Sequence, residues 1–208
     1  MKKLLLLCVP MVALVGCSQA PKIEADSSEE QAKAVWQQHI KHTTHYDEAL
    51  YETVITQYAG TDLAKKARLD ALTSLSQSLQ KKDEFIKHYE QYKRVYNDAN
   101  EVLPAELIYA DWAMSFYNSK FEKMVNLDTN RDLQLLLDTY HKISSLRKDL
   151  PTKADRQEAL AKLDEIQSVM EQETLAKIKH ERKLGNDDVA ESYTKQLKQW
   201  FPKTQVLS

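Results

Sequence analysis

Residues 58–75 read YAGTDLAKKARLDALTSL, and this stretch decides the fold class. Tyr58 closes one helical pattern, Gly60 breaks the chain, and Thr61 offers an N-cap hydroxyl to a new helix from about Asp62 to Leu79. Ala64, Ala67, Ala71, Leu72, Leu75 and Leu79 then recur at intervals of mostly three and four, the signature of one buried helix stripe. The small residues on that stripe let a neighbouring helix approach closely. The whole sequence has only three glycines and five prolines and is rich in Ala, Leu, Lys, Glu and Gln. That composition favours helix and leaves too few turn residues for a sheet protein.

Working outward from this stretch gives seven more helices. The first runs from about Ser28 to Lys41, entered through Ser27 with Glu30 at capping-box spacing, and buries Ala32, Val35, Trp36, His39 and Ile40. The second, about Tyr46 to Tyr58, buries Leu50, Val54 and Tyr58. A fourth, about Lys82 to Tyr96, carries Phe85, Tyr89, Tyr92 and Tyr96, an aromatic stripe whose spacing fits packing against a neighbour better than a ligand platform. Pro104 fits the first turn of a fifth helix ending near Asn118, where proline loses no intrahelical hydrogen bond. Ile108, Trp112 and Phe116 form the face of that helix. After a loop, Asp128 or Thr129 opens a sixth helix to about Lys148 that buries Leu133, Leu136, Leu137, Tyr140 and Ile143, and Leu150 with Pro151 ends it. Thr152 caps a seventh that runs to Leu184 before Gly185 stops it, with Leu163, Ile166 and Met170 buried and a more polar second half. The eighth, about Asn186 to Phe201, buries Ala190, Tyr193, Leu197 and Trp200, and Pro202 terminates it.

Helices joined by short turns read as antiparallel pairs, and the punctuation itself recurs. Tyr58-Ala59-Gly60-Thr61, Leu150-Pro151-Thr152 and Trp200-Phe201-Pro202-Lys203-Thr204 each follow a helix with an aromatic or aliphatic end and offer a Thr after the break. One such pair buries too little surface alone, so stacked pairs supply the core. The expectation is an all-α helical-hairpin solenoid of about four repeats and eight helices over residues 27–208. The arrangement resembles degenerate tetratricopeptide repeats.

The N-terminus belongs to a different category. Lys2 and Lys3 precede an apolar run from Leu4 to Val15, the pattern of a secretory signal and too short for a bilayer span. The run ends in Leu14, Val15, Gly16 and Cys17, which resembles the lipobox of bacterial lipoproteins. That resemblance implies removal of residues 1–16 and attachment of a diacylglyceryl group and an N-acyl chain to Cys17. Three acyl chains hold a protein firmly, because each buried methylene contributes about 0.8 kcal/mol. Ser18 after the Cys implies sorting to the outer membrane, with the protein on its periplasmic face. Residues 17–26 then read as a flexible tether. Cys8 leaves with the signal and Cys17 is acylated, so stability comes from packing without an intrachain disulfide.

A lipobox followed by such repeats resembles the BamD (YfiO) family of outer-membrane lipoproteins. The local likeness lies in Phe85 to Asn97, in Leu107 to Met114, in Asn126-Leu127-Asp128-Thr129-Asn130-Arg131-Asp132, and above all in Phe201-Pro202-Lys203-Thr204-Gln205. The resemblance implies a non-enzymatic scaffold of the machinery that folds and inserts outer-membrane β-barrels. It also implies partners in a BamA-like POTRA domain and sister lipoproteins. Members of that family continue into a fifth repeat, whereas this sequence stops at Ser208. A second expectation therefore stands beside the first: a free-standing periplasmic adaptor or pilotin for a secretion, pilus or cell-wall system.

Composition and motifs point away from other classes. Setting aside Lys2 and Lys3 from the 29 basic residues leaves 27 against 31 acidic ones, with no large block of one sign, which disfavours nucleic-acid binding. No glycine-rich phosphate loop, nucleophile elbow or HExxH motif occurs, so no catalytic residues and no cofactor are expected. His39, His42 and His45 have a spacing that on one helix turns them toward a shared face. They straddle a helix end, no Cys or nearby carboxylate cluster completes a ligand set, and no metal site is expected. Glu29-Glu30 and Asp187-Asp188 lie at helix starts, where carboxylates favour the macrodipole. Partner-contact residues are not assigned by the sequence.

Overall fold

The computed structural model describes residues 22–42, 46–118 and 133–206. The described residues form eight α-helices: α1 (Glu29–His42), α2 (Glu48–Gln57), α3 (Asp62–Ser76), α4 (Lys82–Val95), α5 (Ala99–Asn118), α6 (Gln134–Asp149), α7 (Lys153–Leu184) and α8 (Asp187–Trp200). A short 3-10 turn, Leu79–Lys81, joins α3 to α4. The chain is an all-α helical-hairpin solenoid. Its odd-numbered helices form a continuous row in which α1 packs on α3, α3 on α5 and α5 on α7. The even-numbered helices form a second layer: α4 is seated between α3 and α5 and α6 between α5 and α7, while α2 packs on α3 and α8 on α7.

Caps set most of the boundaries. Thr61 Oγ1 accepts the Ala64 N–H at 3.4 Å and Thr152 Oγ1 accepts the Asp155 N–H at 3.0 Å. Asp47, which the sequence pattern does not single out, caps α2 by accepting the Leu50 N–H at 2.9 Å. The capping box of α1 lies one residue later than expected. Ser28 and Gln31 are the pair: the Ser28 N–H donates to Gln31 Oε1 at 2.9 Å, and Ser28 Oγ accepts the Gln31 N–H at 3.4 Å. Ile23 packs on the first core cluster, so packed chain begins inside the segment read as a tether.

Helix α5 departs most from expectation. It starts a full turn before Pro104, with the Asp98 carbonyl accepting the N–H groups of Glu101 and Val102, each at 2.9 Å. Pro104 therefore sits inside the helix. Asn100, whose carbonyl the missing N–H would have served, is exposed. The buried residues of α5 include Leu103, Ala105, Tyr109, Ala110, Trp112 and Ala113 rather than a single Ile108–Trp112–Phe116 face; Ile108 and Phe116 are half-buried. The expected opening of α6 at Asp128 or Thr129, and the Asn126–Asp132 likeness, lie outside the described residues.

Two core clusters result. Trp36, Leu50, Tyr51, Val54 and Ala67 belong to one, between α1, α2 and α3. The larger runs from Leu72 of α3 to Phe201 beyond α8 and contains the whole α4 stripe: Phe85, Tyr89, Tyr92 and Tyr96. Half-buried Tyr46 packs against both. Along the odd-numbered row, Trp36 Nε1 donates to Asp70 at 2.8 Å, tying α1 to α3, and Lys65 pairs with Glu101 at 2.9 Å, tying α3 to α5. Helix α7 has 32 residues, about 48 Å at the usual rise. Its first half packs on α5 and α6 and its second half carries α8.

Gly185 ends α7 in the left-handed region at φ 80°, with its N–H donating to the Arg182 carbonyl and the Asn186 N–H donating to that of Glu181. A Cβ there would meet nothing within 4 Å, so the requirement for glycine is purely one of backbone conformation. Gly185→Ala is expected to lower unfolding free energy by about 1 kcal/mol, and Gly185→Asn by less. Urea denaturation of the three proteins measures the difference.

Candidate functional site

The residues singled out from sequence fall into three groups. Leu14, Val15, Gly16 and Cys17, together with the signal over residues 1–16, lie outside the described residues, as does His45. His39 is buried, and its Nε2 accepts the Asp47 N–H at 3.0 Å, holding the start of α2. His42 is exposed in the last turn of α1. Among the described residues no group of three or more His, Cys, Asp and Glu is arranged to hold a metal ion. Glu29-Glu30 and Asp187-Asp188 occupy the first turns of α1 and α8, where the helix dipole favours them.

The α4 stripe lies inside the core and brings polar groups with it. His88 is 9% exposed and sits between two tyrosines. Its Nε2 lies 3.1 Å from the Tyr46 hydroxyl and its Nδ1 3.2 Å from that of Tyr51. The three rings meet edge to face, with Tyr51 and His88 centroids 5.2 Å apart. Burial pushes the Tyr46 hydroxyl up to about 12, reinforced by Glu48 and Glu84. Burial, with Lys87 adding to it, lowers the His88 pKa below its ordinary 6.5, against the opposing pull of Glu52, Glu48 and Glu84.

From the next residue of α4, Tyr89, a second network joins α4 to α5. Glu106 is 3% exposed on an otherwise apolar stretch of helix. Tyr89 donates its hydroxyl proton to Glu106 Oε1 at 2.6 Å, and Lys93 Nζ lies 3.2 Å from the same oxygen and 3.3 Å from the Tyr89 hydroxyl. Burial, and next the Glu106 carboxylate, raise the Tyr89 pKa, which keeps the phenol a donor. The second carboxylate oxygen, Oε2, is buried without a hydrogen-bond partner among the described residues.

A groove of about 870 Å³ opens between α5 and α7, with Met114, Ala161 and Val169 as apolar floor and Asp111, Asp164 and Glu165 as acidic rim. Lys162 bridges that rim, 2.8 Å from Asp111 and 2.6 Å from Glu165. Burial acts to lower the Lys162 pKa, but the hydrogen bonds that the ammonium donates to Asp111 and Glu165 outweigh it and hold the group above its ordinary value. The two carboxylates are more than half exposed, so these pairs shape the rim more than they stabilise the fold.

His88, Glu106 and Lys93 were not identified from sequence as a polar network. The available signal was a lone acid in Ala105-Glu106-Leu107-Ile108, a run that is otherwise apolar, and a lone His inside an aromatic stripe. Such residues need partners when buried.

Because the folded protein binds a proton on His88 more weakly than the unfolded chain does, the His88 contribution is complete above about pH 6.5. It declines as pH falls toward the lowered pKa. The thermal midpoint is expected to drop as pH is taken from about 7 to 5, and His88→Gln, which does not titrate there, is expected to flatten the slope. Parallel melts of both proteins across that range check the difference.

No family model matches this chain, and no curated protein or solved structure is significantly similar to it.

Proposed function

We propose that the chain is a lipid-anchored scaffold of the bacterial outer membrane that works by binding proteins, without covalent chemistry. The observation that carries this reading is the sequence Leu14-Val15-Gly16-Cys17 placed ahead of a helical-hairpin solenoid with an open groove between α5 and α7. Acyl chains on Cys17 would hold the solenoid at the periplasmic face. Among the described residues no helix is long and apolar enough to cross a membrane, which suits attachment through lipid. The partner class follows from the likeness to the BamD family: the barrel-assembly machinery, with a BamA-like POTRA domain and sister lipoproteins as contacts.

One structural observation favours the second reading, a free-standing adaptor or pilotin. Helix α8 buries Ala190 and Leu197 and turns Glu191, Lys195, Gln196, Lys198 and Gln199 to solvent. An outer face of this kind, polar apart from exposed Val189, suits contact with water or a polar partner.

Affinity purification of the full chain from gently solubilised envelopes distinguishes the two. Recovery of the central barrel subunit is expected under the first reading, and its absence, with the assembly machine intact, rejects membership. Cys17→Ala is expected to move the protein from the membrane fraction to the soluble one. Mass spectrometry of the native N-terminus checks for the acyl chains, and an unmodified thiol there overturns the anchor.

A further inference from the structure

The gaps between successive even-numbered helices are filled differently. Between α2 and α4 the His88 ring seats against Tyr51 and Tyr46. Between α6 and the end of α8, Tyr140 meets Phe201 edge to face at 5.4 Å. Between α4 and α6 no such ring pair occurs among the described residues, and a cleft of about 430 Å³ lies there instead. Its walls include Lys93 and Tyr96 from the end of α4, Val102 and Glu106 from α5, and Lys142 and Asp149 from α6.

The charges of this cleft are placed and incompletely paired. Lys93 Nζ lies over the Tyr89 ring at 5.0 Å and Lys142 Nζ over the Tyr109 ring at 5.2 Å, so both ammonium groups are steadied by aromatic faces rather than left free on the surface. Glu106 Oε1 is occupied by Tyr89 and Lys93, while Oε2 is buried and lacks a hydrogen-bond donor among the described residues. A buried carboxylate oxygen without a donor is costly. The C-terminal ends of α4 and α6 border the same space and add negative potential, which favours a cation near Glu106 and Asp149. Lys142, exposed and steadied over the Tyr109 ring, favours an anion on the other side. A ligand that satisfies both carries both charges.

We propose that the α4–α5–α6 cleft binds a small zwitterion bearing an ammonium and a carboxylate group. The ammonium donates to Glu106 Oε2 and the carboxylate accepts from Lys142 and Lys93. The same chemistry is presented by free α-amino acids and by short peptides with both ends free. This site is separate from the α5–α7 groove and does not require the scaffold reading.

The test is titration calorimetry on the full chain in non-ionic detergent. The probes are the protein L-amino acids, D-alanine and L-alanyl-L-alanine, which separates the amino-acid source from the peptide source. Alaninamide and N-acetylalanine serve as controls lacking one charge each. Saturable one-site binding of at least one zwitterion is expected, weakened at least about tenfold when either ligand charge is removed. Glu106→Gln, which replaces one carboxylate oxygen by an amide donor, and Lys142→Met on the exposed side of the cleft are expected to weaken it similarly. Lys142→Met and the two control ligands keep the test decisive should Glu106→Gln perturb folding. Absence of binding by every zwitterion up to about 10 mM, or binding indifferent to Lys142→Met and to loss of the ligand charges, overturns the proposal.

Discussion

Helix α5 is the element that the rest of the molecule has to enclose. From Val102 to Tyr117 only Asp111 is exposed, so the helix presents apolar surface on nearly every side. A helix of that kind is stable in water only when it is wrapped. Four helices wrap it: α3 and α7 from its own row, α4 and α6 from the second layer. The Phe85–Trp112 stack at 4.7 Å and the Tyr89–Tyr109 contact at 4.5 Å show how closely α4 seats on it. The outer helices α1, α2 and α8 have a lighter task. Each buries one stripe and turns charge outward, and Trp36 at 0% exposure does for α1 what Trp112 does for α5.

The same contrast explains which parts of the fold were legible in the sequence. Helices bounded by a Thr cap or a terminating Gly or Pro could be read to within a few residues, as α3, α7 and α8 show. Their signals are local, and the side chain that caps a helix is three residues from the N–H it serves. Helix α5 was misread because its apolar residues do not form one stripe and its proline suggested a start. The proline fits the helix interior because the carbonyl it leaves unserved is on exposed Asn100. The polar networks were not legible at all. Tyr89 and Glu106 are 17 residues apart, and His88 reaches Tyr51 and Tyr46 across 37 and 42 residues. No periodicity within one helix encodes a partner on another.

Why Tyr89 and Tyr92 of the α4 stripe are tyrosines, unlike Phe85, follows from those networks. Tyr92 donates to the Glu101 carbonyl at 2.8 Å, Tyr89 to Glu106, and Tyr51 and Tyr46 meet His88. Each ring fills the apolar space between layers while its hydroxyl engages a polar group at the margin, a dual role that Phe lacks. Inside a low-dielectric core such contacts are directional in a way that apolar packing is not. They fix the register of α4 against α2 and α5, which a stripe of interchangeable apolar residues would hold less uniquely. Glu106 is the most demanding member, because a carboxylate buried with one satisfied oxygen is stable only if its surroundings answer for the other.

That demand connects the architecture to binding. In a two-layer solenoid the odd helices touch in succession, so their row is closed by their own packing. The even helices are held apart by the row beneath them, and the space between neighbours must be filled by side chains or left open. Aromatic rings fill it on either side of the α4–α6 gap. At that gap the chain places Lys93, Lys142 and Glu106 instead, residues whose charged ends do not pack as rings do. Filling the gap with another Tyr or Phe would have enclosed α5 more completely. A charged, open cleft over the one helix that most needs covering is therefore a departure from what packing alone would select.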